Sequence, residues 1–239
     1  MLAVFSRDFR AYFTSSIGYV YIGSYIFVLN LAFFMNNALQ GNPSLGGMFS
    51  FVLTVMMFVT PILTMRVFSE EFKQKTDLLL FTAPVRCSSL VLGKYLSALA
   101  VFACLLALTL LWPLSISILG RNNIAEVIGN YIGIFALGSA YIAIGVFISS
   151  LTENQVIAAI GSLITFVALF LLETMAVLFY RSGVLPAFLV EVLSFISLFG
   201  RYTTITRGIL ALNDIVLFLS VSAVFIFLTI RRMDKRRWN

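Results

Sequence analysis

The sequence predicts an all-α integral membrane protein with six transmembrane helices, and its composition and charge distribution carry that prediction. Hydrophobic residues make up 61% of the 239 residues, charged residues make up 11%, and the mean hydropathy is +1.03. A soluble domain carries about 25% charged residues, so a soluble globule of this composition would expose too much apolar surface to water. The apolar runs are continuous rather than alternating in polarity, which favours helices over the strands of a membrane barrel.

Long stretches without Asp, Glu, Lys or Arg locate the spans. The first stretch, residues 11–65, is divided by the turn-forming pairs Asn42-Pro43 and Gly46-Gly47, and therefore contains two spans. Pro61 is predicted to kink the end of the second span, and Pro113 lies near the far end of the third. The six predicted spans cover residues 17–35, 49–65, 91–119, 127–150, 155–180 and 214–230.

Residues 1–15 are predicted to form an amphipathic helix at the membrane interface. Arg7, Asp8 and Arg10 stand there among aromatic and aliphatic side chains, a pattern typical of helices that lie in the headgroup layer. The alternative interpretation is a short frayed tail. In the fourth span, Gly129 and Gly133 either allow another helix to approach closely or reflect the general enrichment of glycine in membrane helices.

The distribution of basic residues predicts the orientation. With the N-terminus in the cytoplasm, 12 of the 16 Lys and Arg residues fall in cytoplasmic segments and four fall outside. Cytoplasmic loops carry an excess of Lys and Arg, so both termini are predicted to be cytoplasmic.

Composition also excludes several classes of function. The net charge of +6 does not indicate nucleic-acid binding, because the basic residues cluster beside spans, where orientation and anionic lipid account for them. The chain has no histidine, which excludes an HExxH zinc site and a Ser-His-Asp triad, and Cys87 and Cys104 lack metal-ligand spacing. It also has no GxxxxGK[ST] phosphate loop, so any ATP would be hydrolysed by another polypeptide.

Residues 66–90 form the longest polar stretch and are predicted to lie in the cytoplasm between the second and third spans. Glu71 and Lys75 are four residues apart, which favours a helix. Thr76 is predicted to cap a second short helix that begins at Asp77 and stops at Pro84.

Residues 78–81, Leu-Leu-Leu-Phe, would be the apolar part of that second helix. An apolar surface on a cytoplasmic helix suggests a docking site for a soluble partner. Burial of these side chains against lipid headgroups is an equally open interpretation.

Motifs over most of the chain resemble a known family. An acidic pair, a basic residue, a threonine, an acid, two leucines and a proline follow the second span, at Glu70-Glu71, Lys73, Thr76, Asp77, Leu78-Leu79 and Pro84. The other motifs are Gly93-Lys94-Tyr95, residues 141–155, residues 207–210 and Asn213-Asp214. Together they resemble the permease subunits of ABC-2-type exporters, in the gliding-motility-type branch that is similar to nitrous-oxide-reductase maturation permeases. The chain departs from the family pattern, which usually has Gly before the Thr and Glu two residues after it, where this chain has Lys75 and Leu78.

The resemblance implies a partnership in a bacterial cytoplasmic membrane. Two permease subunits would work with two cytoplasmic ATPase subunits that bind Mg-ATP. The two permease subunits would be identical, or different with one of them bearing a large extracytoplasmic domain. The chain itself would hold no cofactor, metal or catalytic residue. Residues 66–90 would couple ATPase closure to the spans, and residues 183–212 would form short extracellular re-entrant helices. The coupling residues implied are Glu70, Glu71, Lys73, Thr76, Asp77, Leu79 and Pro84.

Two further positions stand out. Glu173 lies about 18 residues into the fifth span, and an intramembrane carboxylate is costly unless it is protonated, paired or in contact with water. It is a candidate for the subunit interface or the outer substrate path, and the alternative places it at the outer headgroups beside Arg181. Glu153 and Asn154 are predicted to make a secondary cytoplasmic contact with the ATPase, although Glu153 would also suit the start of a helix.

The sequence-based hypothesis is therefore an ATP-driven exporter whose substrate is unidentified. The alternative function is a non-transporting ATP-driven machine that pulls on an extracytoplasmic partner or extracts a lipoprotein. A secondary transporter would be expected to show inverted repeats and several intramembrane charges, and an intramembrane enzyme would need a catalytic constellation.

Overall fold

A computed structural model of the chain describes residues 1–39, 46–76, 86–118, 124–181, 198–206 and 212–238. All regular structure in these ranges is helical, and six helices are long and apolar enough to span a membrane, which confirms the predicted fold class and number of spans. A π-helical turn, Phe34–Ala38, extends the second helix. The α-helices are α1 (Leu2–Thr14), α2 (Ser16–Phe33), α3 (Gly46–Thr64), α4 (Ser69–Gln74), α5 (Cys87–Thr109), α6 (Leu111–Ile118), α7 (Ile124–Ser149), α8 (Gln155–Arg181), α9 (Leu198–Thr206) and α10 (Leu212–Trp238).

Helix α7 is the centre of the bundle. In its span 78% of the residues are buried, against 17% in the span of α8 and 22% in that of α10. It packs against α3, α5, α8, α9 and α10. The more exposed helices α2, α8 and α10 present apolar side chains outward, as lipid-facing helices do.

Glycines allow the neighbours of α7 to approach it closely. A Cβ atom at Gly133 would lie 2.8 Å from Cγ2 of Ile205 on α9. A Cβ at Gly138 would overlap the ring of Phe102, and one at Gly145 would overlap the side chain of Thr64. The close approach considered for the Gly129-Gly133 motif is therefore observed at Gly133.

Helix α1 packs across the first turns of α5. At the crossing, Gly93 faces the side chain of Val4, since a Cβ there would lie 3.1 Å from Val4 Cβ. The chain then turns through Ser15, whose backbone is extended, into α2. The predicted helix over residues 1–15 is thus present. Along one side of it the rings of Phe5 and Phe9 stack, and Phe13 meets Phe9 edge to face.

The predicted third span is present as one candidate span, Cys87–Ile116, but it is not a single unbroken helix. It divides at Leu110 into α5 and α6, because Pro113 has no N–H to donate to the carbonyl of Thr109 and its ring displaces that turn. Two boundaries differ from the predicted ones. Glu126, just before the predicted fourth span, lies in the first turn of α7, and α10 continues as helix past Ile230, where the predicted sixth span ends.

The two ends of the bundle differ in what holds them together. At one end, α1, α4, the start of α5 and the end of α10 are joined through charged side chains. At the other, Trp112 Nε1 donates to Asn30 Oδ1 at 2.8 Å, and Arg201 pairs with Asp214 at 2.7 Å. Both termini lie at the first end, as an even number of spans requires.

Candidate functional site

Lys94 is the centre of the candidate site, at the end of the bundle that carries both termini. It is the only charged residue in α5 and is 3% exposed. Its ammonium lies 2.8 Å from Glu71 Oε1 and 3.2 Å from Asp8 Oδ2, and it donates to the carbonyl of Val67 at 2.9 Å. A buried ammonium is costly unless opposite charges and acceptors surround it, and here they come from α1, α4 and the segment before α4.

Arg7 completes the link between α1 and α4. Its Nη2 donates to Glu71 Oε1 at 2.8 Å, and its Nε donates to Asp8 Oδ1 at 2.7 Å. Partial burial lowers the pKa of the Arg7 guanidinium, but its contacts with Asp8 and Glu71 raise it more, so the net shift is upward. Arg7 therefore stays charged over the whole physiological range.

Arg66 and Glu70 form a second pair beside the first. They are four residues apart, and the guanidinium of Arg66 donates to both oxygens of Glu70 through Nε and Nη2, the latter at 2.7 Å. Gln74 Nε2 also donates to Glu70 Oε1, at 3.2 Å. A bidentate pair of this kind fixes the orientation of both side chains as well as the distance between them. We call Arg7, Asp8, Arg66, Glu70, Glu71 and Lys94 the polar end cluster.

Ser149, at the end of α7, anchors the segment that enters α4. Its Oγ accepts hydrogen bonds from the backbone N–H groups of Phe68 and Ser69, at 3.1 and 3.2 Å. The hydroxyl also lies 3.2 Å from the carbonyl of Met65, and Ser69 Oγ donates to the carbonyl of Ser149. These bonds satisfy N–H groups that the start of a helix leaves unpaired, and they fix α4 to the most buried helix.

The end of α10 reaches the same region through Arg236. Its Nη2 lies 2.9 Å from Glu153 Oε1, and its guanidinium lies 3.9 Å from the centre of the Phe72 ring on α4. Asn154, rather than Glu153, caps α8, since Asn154 Oδ1 accepts from the N–H of Val156 at 2.9 Å. Arg236 thus connects Glu153 to Phe72 of α4.

The predicted coupling residues divide at Thr76. Glu70 and Glu71 belong to the polar end cluster, whereas Lys73 is exposed on α4. The predicted pairing of Glu71 with Lys75 does not form, because Lys75 ends α4 in the left-handed conformation (φ 57°) and Glu71 contacts Arg7 and Lys94 instead. The hydroxyl of Thr76 turns back to the carbonyl of Glu71 at 3.4 Å. Asp77, Leu79 and Pro84 lie outside the described residues.

The other predicted positions are described only in part. Glu173 lies on α8, but its side chain is outside the described residues. Of residues 183–212, the structure describes 198–206 and the first residue of α10. Helix α9 has nine residues, or about 14 Å, which is too short to cross a bilayer. Arg201 ties it to Asp214 at the start of α10.

Sequence reasoning missed three residues of the site. Lys94 was noted only as part of a motif, although a lone charge inside a long apolar helix signals a buried partner. Ser149 gave no signal, because serine in a membrane helix usually bonds to its own backbone. Arg236 was counted only among the cytoplasmic basic residues, and only its contacts distinguish it from its neighbours.

Comparisons of the sequence with protein-family models and with curated proteins find no match. Within the described part of the chain, no three His, Cys, Asp or Glu side chains come together in a way that would hold a metal ion.

Proposed function

We propose that this chain is the membrane-spanning permease subunit of an ATP-driven exporter of the ABC-2 type. ATP would be hydrolysed by a separate cytoplasmic ATPase dimer, and residues 66–90 would transmit its movement to the spans. The chain would form the substrate path together with a second permease subunit in a bacterial cytoplasmic membrane, with both termini in the cytoplasm.

The observation that carries the proposal is how α4 is held. This six-residue helix is tied by Glu71 to α5 and α1, by Ser69 to the end of α7, and by Phe72 to the end of α10. A force applied to α4 would therefore act on four elements at once. A short polar helix connected in this way suits the transfer of motion into the membrane better than an ordinary loop between spans.

A second observation concerns the surface beside α4. Lys73 is exposed on α4, and Glu153, whose side chain is 63% exposed, lies beside the same helix through Arg236. A soluble subunit that binds α4 would also meet the turn before α8. This supports the proposed pair of contacts made by residues 66–90 and by Glu153 and Asn154.

The proposal is tested by affinity purification of the tagged full-length chain from native membranes in mild detergent. We expect an ATPase subunit with a phosphate-binding loop to co-purify, and ATPase activity to follow the complex. Lys73→Glu and Asp77→Arg should lower substrate-stimulated ATPase activity. Arg10→Glu is the matched control, since Arg10 is exposed on α1 and lies outside the polar end cluster.

Three outcomes would contradict parts of the proposal. Purification without any ATPase would remove the exporter assignment. Unchanged coupling in both variants would remove residues 66–90 as the transmitting segment. An intact complex that moves no compound across liposomes but binds a partner with a large extracytoplasmic domain would favour the non-transporting machine.

A further inference from the structure

An open cavity of about 340 Å³ lies between α1, residues 66–76 and α5. Its size falls within the range of sites that bind small molecules. The whole polar end cluster contributes to its walls, and the uncharged polar lining comes from Tyr12, Ser15, Gln74, Thr76 and Ser97. Of the proposed coupling residues, Glu70, Glu71 and Thr76 line the cavity, whereas Lys73, which is exposed on α4, does not.

The position of the cavity along the bundle corresponds to the headgroup layer. Ser15 directly precedes the membrane span α2, and Arg66 follows the end of α3 by two residues. Lys94 forms its deep wall, seven residues after the start of α5, or about 10 Å along the helix. The polar ends of three spans and an amphipathic helix therefore enclose it, where a bilayer changes from hydrocarbon to headgroup.

The charges of the wall are balanced, with three cations and three carboxylates. Each cation is already paired with a carboxylate, at distances down to 2.7 Å. A bare anion would gain little from cations that are already neutralised, and it would be repelled by the carboxylates. The wall suits a ligand that carries both signs close together.

The guanidinium groups keep donors for such a ligand. Arg7 and Arg66 use Nε and Nη2 in their pairs. Among the described residues, Nη1 of each makes no hydrogen bond. A guanidinium has five N–H donors in a planar fork that fits phosphate oxygens. The carboxylates of Glu70 and Glu71 lie beside them and would accept from an ammonium.

We infer that this cavity binds the headgroup of an ethanolamine phospholipid. The phosphate would contact Arg7 and Arg66, and the ammonium would donate to the carboxylates of Glu70 and Glu71. A choline headgroup has no N–H donors for those carboxylates, and a glycerol headgroup has no positive charge. Ethanolamine phospholipid is therefore favoured over both. The inference does not depend on the proposed function, because it needs neither an ATPase nor transport.

The experiment uses the full-length chain with any subunits that co-purify, reconstituted in nanodiscs of equal ethanolamine, choline and glycerol phospholipids. After re-extraction in mild detergent, the lipids retained per chain are counted by native mass spectrometry. We expect the ethanolamine lipid to be enriched about tenfold over each of the others. This ratio corresponds to the binding free energy of about one charge-assisted hydrogen bond. No enrichment, or a preference for the glycerol lipid, would overturn the inference.

Two variants and a control keep the test independent of folding. Arg66→Gln/Glu70→Gln removes one pair without changing the net charge. The exchanged pair, Arg66→Glu with Glu70→Arg, keeps the ion pair but reverses its direction. Both should abolish the enrichment while the thermal unfolding midpoint stays within a few degrees of the parent value, and Arg10→Gln should retain the enrichment. Enrichment that survives in both variants would refute the site.

A final measurement distinguishes binding of a lipid headgroup from binding of a soluble ligand with the same chemical groups. O-phosphoethanolamine is titrated against the chain in choline-lipid nanodiscs, with binding measured by calorimetry. Weak binding or none is expected, because the soluble compound lacks the acyl chains that hold a headgroup at this depth. Tight binding that the two pair variants abolish, without any lipid enrichment, would overturn the assignment to a lipid.

Discussion

The ammonium of Lys94 lies 2.8 Å from the carboxylate of Glu71, with 4% of the Lys94 side chain and 16% of the Glu71 side chain exposed. The pair joins α4 to α5, and its two residues are 23 positions apart along the chain. Removing one partner of a buried pair leaves the other charge without compensation, so the pair should matter more to the fold than a surface pair would.

We expect Glu71→Ala to lower the free energy of unfolding by about 3 kcal/mol, because it leaves Lys94 buried with only Asp8 as a charged partner. Lys94→Met should have a similar effect. The double variant Lys94→Met/Glu71→Ala should cost clearly less than the two single losses together, since no buried charge is then unpaired. Unfolding in mixed detergent micelles measures these values, with Lys73→Met on the exposed face of α4 as the control. Additive losses would contradict direct coupling.

Ser149→Ala should loosen the start of α4. The substitution removes the acceptor for the N–H groups of Phe68 and Ser69, and a buried donor left unpaired costs about 1–3 kcal/mol. Hydrogen exchange at these two amides should become faster. Ser150 is a matched control, because it is equally buried but bonds only to Phe147 of its own helix. Similar exchange in the two variants would argue against Ser149 as an anchor.

Gly138→Ala should destabilise the bundle, because the added methyl group would overlap the Phe102 ring. Extra volume in a packed interior costs about 1–3 kcal/mol. Gly23→Ala on α2 is the control, since a Cβ there meets nothing within 4 Å. That change should be neutral or slightly stabilising, because Ala favours helix. Thermal unfolding of the purified chain distinguishes the two, and equal midpoints would contradict the packing described for α7.

The C-terminal end of α10 should lie in the cytoplasm, as the balance of basic residues predicts. A green fluorescent protein fused after Asn239 should therefore fluoresce, and an alkaline phosphatase fused there should be inactive. Fusions at the N-terminus should behave in the same way, since both termini lie at one end of the bundle. Active phosphatase at either terminus would reverse the proposed orientation.

The membrane architecture was predictable because it depends on local composition. Continuous apolar runs fix where a helix can cross lipid, and each of the six spans is present. The break in the third span was also within reach of the sequence, since Pro113 removes a hydrogen bond four residues earlier whatever the surroundings. The start of α7 at Ile124 could not be predicted from the sequence, because residues such as Glu126 suit a first helical turn as well as a loop.

The candidate site depended on contacts between distant parts of the chain. The spacing of Glu71 and Lys75 favours a helical ion pair, but Lys75 ends the helix and Glu71 finds Lys94 and Arg7, 23 and 64 residues away along the chain. The spacing of residues along the chain does not show whether a surface ion pair or a buried ion pair will form. Only the packing of α1 over α5, with Gly93 at the crossing, brings Asp8 to Lys94.

Helix α10 is longer than the hydrocarbon layer is thick, and Arg236 near its C-terminal end contacts Glu153 and Phe72. Its 27 residues make it about 40 Å long, against about 30 Å of hydrocarbon. If it pivots near mid-membrane, a rotation of about 10° displaces its end by roughly 4 Å, taking the rise per residue for its length. That displacement is comparable with the separation of Arg236 from Phe72 and Glu153. A small change in the tilt of α10 would therefore be large enough to make or break the contacts of Arg236 at α4.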